Sequence, residues 1–228
     1  MTAPLAIIPA RVGSKGVPGK NFTPIHGRSL VQRAVDCANE AGVGFPILTT
    51  DEMWTVTLVQ GCSYLPRPSS LAQDDTPMID VVRHVLDAVP GPGDQVVVLL
   101  QPTSALRTPE HIRLALAMLE EPWTSVVSVV PVPRMYSPDL VCVVRGADLV
   151  PSLCEFVNGP PEWDVVTRRQ DAVTGYRRDG TVYVTTRGSI ARSGNLYGDR
   201  VCPFILPASE SLTVDTPEDW AEAERRLR

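Results

Sequence analysis

The sequence predicts an α/β protein built on a doubly wound, mostly parallel sheet, with a small α+β excursion over 134–206 inside a single domain 1–228. Three observations carry that prediction. Apolar runs of strand length alternate with amphipathic stretches of helical length, the order that gives βαβ units. The run Gln95–Leu100 is apolar without alternation, as expected of a central parallel strand covered by helices on both faces. Helix start signals stand where those helices must begin.

The elements follow in order. Leu5-Ala6-Ile7-Ile8 forms a first buried strand, and Arg28–Ala38 repeats its apolar residues at helical spacing. Phe45–Asp51 reads as a second strand ending in a polar turn, and Ser63-Tyr64-Leu65 as a short third. Pro77–Ala88 places apolar residues on one helical face, with Thr76 as its cap. Thr108-Pro109-Glu110 opens another helix, threonine capping and proline in the first turn. Ser125–Val132 is a further β-branched run. From Arg134 to about Leu206 the pattern loosens, with strands expected at Leu140–Val144 and Gly180–Thr185 and a hairpin turn at Asp179-Gly180. A last helix runs from a cap at Asp215 or Thr216 to Leu227. In such a fold, ligands bind at the carboxyl ends of the strands. The loop after Ile8, Thr50-Asp51 and Gln101-Pro102-Thr103 all lie at such ends, so they are expected around one crevice.

Composition narrows the class. With 228 residues, 43% of them hydrophobic, the chain can bury a full core. A net charge of −5 argues against a general nucleic-acid surface. Five cysteines are dispersed with no CxxC pair, which reads as reduced packing residues of a cytoplasmic protein without zinc or disulfides. No apolar run approaches the roughly 20 residues of a membrane span, and Met1-Thr2-Ala3-Pro4 leads directly into the first strand, with no signal peptide expected. His26, His84 and His111 are scattered and receive no catalytic role, and the four tryptophans read as packing or interface residues.

Against this acidic background, the loop from Pro9 to Asn21 is locally positive. It carries three cations (Arg11, Lys15, Lys20), three glycines, the Ser14 hydroxyl and the Asn21 amide. Glycines let backbone N–H groups converge on an anion, and Pro18 fixes the chain where a merely solvated loop would gain nothing. A polyphosphate fits. The spacing is neither that of a Walker A loop nor that of the dinucleotide fingerprint, since Gly13, Gly16 and Gly19 recur every three residues.

Ile8-Pro9-Ala10-Arg11-Val12-Gly13-Ser14-Lys15-Gly16-Val17-Pro18-Gly19-Lys20-Asn21 resembles the signature of the CMP-sialic acid synthetases, cytidylyltransferases related to those that make CMP-Kdo. The resemblance implies a Rossmann-like fold of the nucleotide-diphospho-sugar transferase type, CTP as co-substrate, Mg²⁺ as cofactor and a homodimer. It places Arg11, Lys15 and Lys20 as catalytic phosphate ligands, with Ala10, Ser14 and Asn21 also at the nucleotide. Fixed cations suit the chemistry, because attack on the α-phosphorus builds charge on its oxygens and on departing pyrophosphate.

Further blocks extend the resemblance. Arg67-Pro68-x-x-Leu71-Ala72-x-Asp74 matches a segment whose arginine contacts the nucleotide. Leu99-Leu100-Gln101-Pro102-Thr103-Ser104-x-Leu106-Arg107 matches one that sets Gln101 between nucleotide and acceptor, where its amide can both donate and accept. Arg168-Arg169-Gln170 with Asp179-Gly180-Thr181-Val182-Tyr183 matches a block that turns Arg169 and Tyr183 toward an acceptor carboxylate, for which a guanidinium fork is suited. The block from Leu212 to Asp219 usually brings two aspartates to Mg²⁺. Here Thr213 replaces the first, leaving Asp215 alone. One carboxylate can suffice when phosphate oxygens and water fill the octahedron.

The acceptor half departs further: no lysine follows Lys20, and Asp171-Ala172-Val173 replaces the usual Leu-Pro. The expected function is transfer of CMP from CTP to a small acid with release of pyrophosphate, most like transfer to a sialic-type nonulosonic acid. Transfer to phosphonoformate or another phosphonate and a non-catalytic CTP-binding protein are the alternatives. Neither a nucleic acid nor a membrane is expected as partner.

Overall fold

The computed structural model describes residues 2–138, 140–145, 148–151 and 174–228. A seven-stranded sheet organises them: β1 (Leu5–Pro9), β4 (Ile47–Thr50), β5 (Ser63–Pro66), β6 (Val96–Leu99), β7 (Ser125–Pro131), β10 (Tyr176–Thr186) and β11 (Val201–Ile205), in the order β11-β7-β10-β6-β1-β4-β5. Only β10 runs antiparallel to its neighbours β6 and β7. The apolar run read as central takes the middle place, as β6.

Alternation along each strand divides the core. Ala6, Ile8, Leu48, Val98 and Val184 face one side, against α1 (Leu30–Ala41) and α3 (Pro109–Ala117). Leu5, Ile7, Ile47, Val97 and Leu99 face the other, against α2 (Met78–Ala88) and α4 (Arg187–Ser193). Burying each of these Val, Leu and Ile side chains contributes about 1.5–3 kcal/mol, which is why these strands read as continuous apolar runs. The last helix, α5 (Pro217–Arg226), packs through Ala223, with Val214 ahead of it, on Ile25 and Leu30. Two short pairs complete the strands: β2 (Pro24–Ile25) with β3 (Arg28–Ser29), and β8 (Cys142–Arg145) with β9 (Asp148–Pro151).

The start signals hold with adjustments. Thr108 caps α3, and His111 returns the bond through its ring, so this histidine serves a capping box. Thr216, rather than Asp215, caps α5, with Asp219 as its reciprocal partner. The cap of α1 is Ser29, because Arg28 and Ser29 are drawn into β3. At α2 the expected Thr76 cap fails: Pro77 takes the cap position without a side-chain bond, and the Thr76 hydroxyl reaches the Ser70 carbonyl.

Two differences affect the site. Asp179-Gly180 is not a hairpin turn but a bulge within β10, where pairing advances from Arg178 to Tyr183 against only Val129 to Val127. Gly180 takes φ +78° there, which is the property that made the pair resemble a turn. The span 134–206 is also not all excursion, since residues 176–205 supply β10, α4 and β11 to the main sheet. Strand β11 escaped the sequence reading because Pro203 interrupts its apolar run, and an edge strand tolerates that proline.

Candidate active site

Strands β1, β4 and β6 are mutually parallel and adjacent, so their carboxyl ends open on one side. There the loop after β1 bends over a crevice of about 440 Å³ lined by Arg11, Ser14, Lys15, Gly16, Lys20, Asn21, Arg67, Asp74, Gln101, Thr213 and Asp215. The three loop cations, the glutamine and the carboxylate expected to meet do meet. Ala10 is fully buried at the base of the loop, its N–H donating to the Thr49 carbonyl at 3.0 Å, and its side chain does not line the crevice.

Buried partners hold the loop in shape. The Asp51 carboxylate accepts from the Val12 N–H at 3.1 Å, and the Asn21 amide donates to the Arg11 carbonyl at 3.0 Å. Lys20 is 8% exposed, donating to the Val214 carbonyl at 2.6 Å and to Asp215 Oδ1 at 2.7 Å. Gly16 packs so tightly that a Cβ there would lie 2.0 Å from the Asp215 carbonyl oxygen. The loop and the start of α5 are thereby locked together from opposite ends of the chain.

Two residues of the crevice carry buried polar atoms without a hydrogen-bond partner. Arg67 is 6% exposed, and its Nε and Nη2 have no hydrogen-bond partner. Burial pulls its pKa down; Asp51, at 3.8 Å, opposes that and Arg11 adds to it. Asn21 Oδ1 is likewise buried without a partner. Arg11 and Lys15, for their part, converge on Asp74, Arg11 at 2.6 Å. Their hydrogen bonds, Lys15 first and Arg11 second, hold the Asp74 carboxyl below the usual carboxylate range. Asp74 thus sets a negative charge directly against two of the three loop cations.

The comparisons with known proteins bear directly on this crevice. Residues 5–151 match the family described as cytidylyltransferase. The chain belongs to the cytidylyltransferase family. It is a nucleotidyltransferase that uses CTP. This cytidylyltransferase is 30% identical to the CMP-N,N'-diacetyllegionaminic acid synthase of Legionella pneumophila, over 98% of this chain and 95% of that protein. It is 27% identical to the N-acylneuraminate cytidylyltransferase of Streptococcus agalactiae over 95% of its own length, and spans 51% of that longer protein. A solved CMP:2-keto-3-deoxy-manno-octonic acid synthetase, complexed with CTP, superposes with a TM-score of 0.72 at 18% identity, covering 99% of this chain and 98% of the other, which shows the fold.

The acceptor side of this cytidylyltransferase is assembled differently. Arg169 lies outside the described residues. Tyr183 is 7% exposed and pairs with Leu99 and Val127 in the core, not on the crevice; burial raises its pKa. Its position on β10, the antiparallel strand between β6 and β7, explains this, because there the residue faces α2 and α4, not the crevice mouth. Thr213 donates to the Asp179 carbonyl at 3.1 Å, a bond that an aspartate could not make in its charged form.

Asp51, Asp74 and Arg107 are the structural participants to which sequence reading gave no role. Asp51 was visible only as the end of a strand, and Asp74 only as the last letter of a block. Among the described residues no group of three His, Cys, Asp or Glu side chains could hold a metal. Of the two described carboxylates lining the crevice, Asp74 is engaged by Arg11 and Lys15, which leaves Asp215, 63% exposed at the side chain, as the candidate donor to a divalent cation. That donor set fits Mg²⁺ bound chiefly by phosphate oxygens and water.

Proposed function

We propose that the crevice binds CTP with its triphosphate along residues 11–20 and transfers CMP to a sialic-type nonulosonic acid, releasing pyrophosphate. The observation that carries the reading is the meeting of Arg11, Lys15 and Lys20 with Gln101 and Asp215 around one cavity. The nonulosonic acceptor is favoured because the relative matched over nearly both whole lengths is named as a synthase of CMP-N,N'-diacetyllegionaminic acid. The named relatives act on sugar acids, so a phosphonate acceptor is not favoured.

In this reading Arg11 and Lys15 exchange Asp74 for phosphate oxygens when CTP enters. Arg67 gives its unpaired N–H groups to the nucleotide, satisfying donors whose burial is otherwise costly. Lys20, fixed by Val214 and Asp215, stands ready for the charge that grows on the phosphates as the acceptor hydroxyl attacks the α-phosphorus. Gln101, at the end of β6, lies between nucleotide and acceptor. Asp215 would hold Mg²⁺, which supplies further neutralisation of phosphate charge when bound. Positioning and charge neutralisation provide most of the rate, without a protein nucleophile. A homodimer is expected, with a mass in solution of twice 24.8 kDa. No helix among the described residues is long and apolar enough to cross a membrane; we place the enzyme in the cytoplasm.

The test is pyrophosphate release with CTP and Mg²⁺ against N,N'-diacetyllegionaminic acid, N-acetylneuraminic acid, Kdo and phosphonoformate. Release with a nonulosonic acid supports the reading. Preference for Kdo or phosphonoformate reassigns the acceptor, and silence with every acid alongside tight CTP binding denies the transfer.

A further inference from the structure

Behind the crevice lies a buried polar network that the phosphate loop does not touch. Arg107 is 7% exposed and directs its guanidinium at three backbone carbonyls: Nη2 at those of Gln101 and Gly180, the latter at 3.3 Å, and Nε at that of Thr181, at 2.6 Å. One of these carbonyls belongs to the crevice and two to the β10 bulge. The bulge has its own buried anchor, since the Asp179 carboxylate accepts from the Ser128 hydroxyl at 2.5 Å and the Thr181 hydroxyl at 2.6 Å. Gly180 presses on Gln101 directly: a Cβ there would lie 2.4 Å from Gln101 Oε1.

A fully buried guanidinium with no carboxylate in hydrogen-bond contact is a poor stabiliser. Desolvation pushes its pKa down to about 10 against the opposing pull of Cys37 and Asp179. An apolar side chain of similar volume is often as good for stability or better. What only the planar fork provides is a fixed relation between the chain at Gln101 and the chain at 180–181, which are adjacent in space and remote in sequence. We infer that Arg107 is a positioning residue for the transfer reaction, setting the Gln101 side chain against the acceptor through its hold on the Gln101 and Gly180 carbonyls. The inference rests on the placement of Gln101 proposed above.

A double-mutant cycle tests it. Arg107→Lys, Gln101→Ala and the double variant are compared for melting temperature, CTP affinity by calorimetry, and kcat/KM for N,N'-diacetyllegionaminic acid. Acting through Gln101, Arg107→Lys should lower kcat/KM for the acid at least about tenfold while CTP affinity stays within about twofold of wild type. The double variant should be no worse than the worse single one. A merely structural arginine would lower the melting temperature and leave the kinetic losses independent; multiplying losses overturn the inference, as does a parallel fall in CTP affinity. Should Arg107→Lys not fold, Arg107→Gln takes its place in the same cycle; multiplying losses overturn the inference there too. Gln101→Ala with unchanged acceptor kinetics removes Gln101 from the acceptor, and the inference with it. Gln101→Ala damaging but independent of Arg107 sinks the inference alone.

Discussion

The two walls of the crevice are built by opposite means. On the nucleotide wall, Arg11, Lys15 and Lys20 come from ten consecutive residues, and their partners Asp74 and Asp215 are partly exposed carboxylates. On the proposed acceptor wall, Gln101 is met by a buried arginine six positions on and by a strand bulge 79–80 positions on. The first wall keeps charge available for exchange, since exposed ion pairs are worth at most about 1 kcal/mol and yield readily to a polyanion. The second fixes geometry through bonds that no ligand can replace. A site that must grip and release a triphosphate while holding a small acid in one orientation needs both kinds.

Substitutions can break this contrast, and Lys20→Ala should do most damage. It removes the one loop cation that is buried and leaves Asp215 and the Val214 carbonyl unpaired, so turnover should fall by at least about a hundredfold. An unchanged rate in the pyrophosphate assay would remove the loop from catalysis. Gly16→Ala comes next. Its methyl must displace the Asp215 carbonyl, and a shift of that size should cost roughly ten- to a hundredfold in turnover with little effect on the far wall. Arg67→Met should separate binding from stability: CTP affinity falls at least about tenfold, whereas the melting temperature stays level or rises, because unpaired buried donors are removed. Parallel losses of affinity and stability would mean that Arg67 is structural. The smallest effect is expected for Asp74→Asn, which frees Arg11 and Lys15 and should tighten CTP binding by about two- to fivefold, more at low salt. Because those cations hold Asp74 below the ordinary carboxylate range, its charge persists through that range and is lost only beneath it. The variant's advantage should therefore persist down to about pH 5.

The same contrast explains what was legible in the sequence. The nucleotide wall was readable because its charges and glycines are contiguous and its strands are uninterrupted apolar runs. Even there Asp74 was read without a role, since nothing local says that a carboxylate seven residues beyond Arg67 will turn back onto Arg11. The acceptor wall depends on relations that no window of sequence contains. Tyr183 carried the right letter in the right block but sits inside the sheet, because the bulge before it sets which face it takes. Asp179-Gly180 signalled a turn, and its positive φ was real, but the strand continues through it. Thr213 reads in the sequence as the replacement of a metal ligand, and its hydroxyl bond to the Asp179 carbonyl joins positions that no window of sequence brings together.

The claim beneath all of this is that the positive loop receives a triphosphate in exchange for Asp74. Calorimetric titration of the protein with CTP and with CMP, at one ionic strength, tests it most directly. The account predicts that CTP binds at least about tenfold more tightly than CMP, because Lys15 and Lys20 engage phosphates that CMP lacks. Equal affinities for the two nucleotides would contradict it.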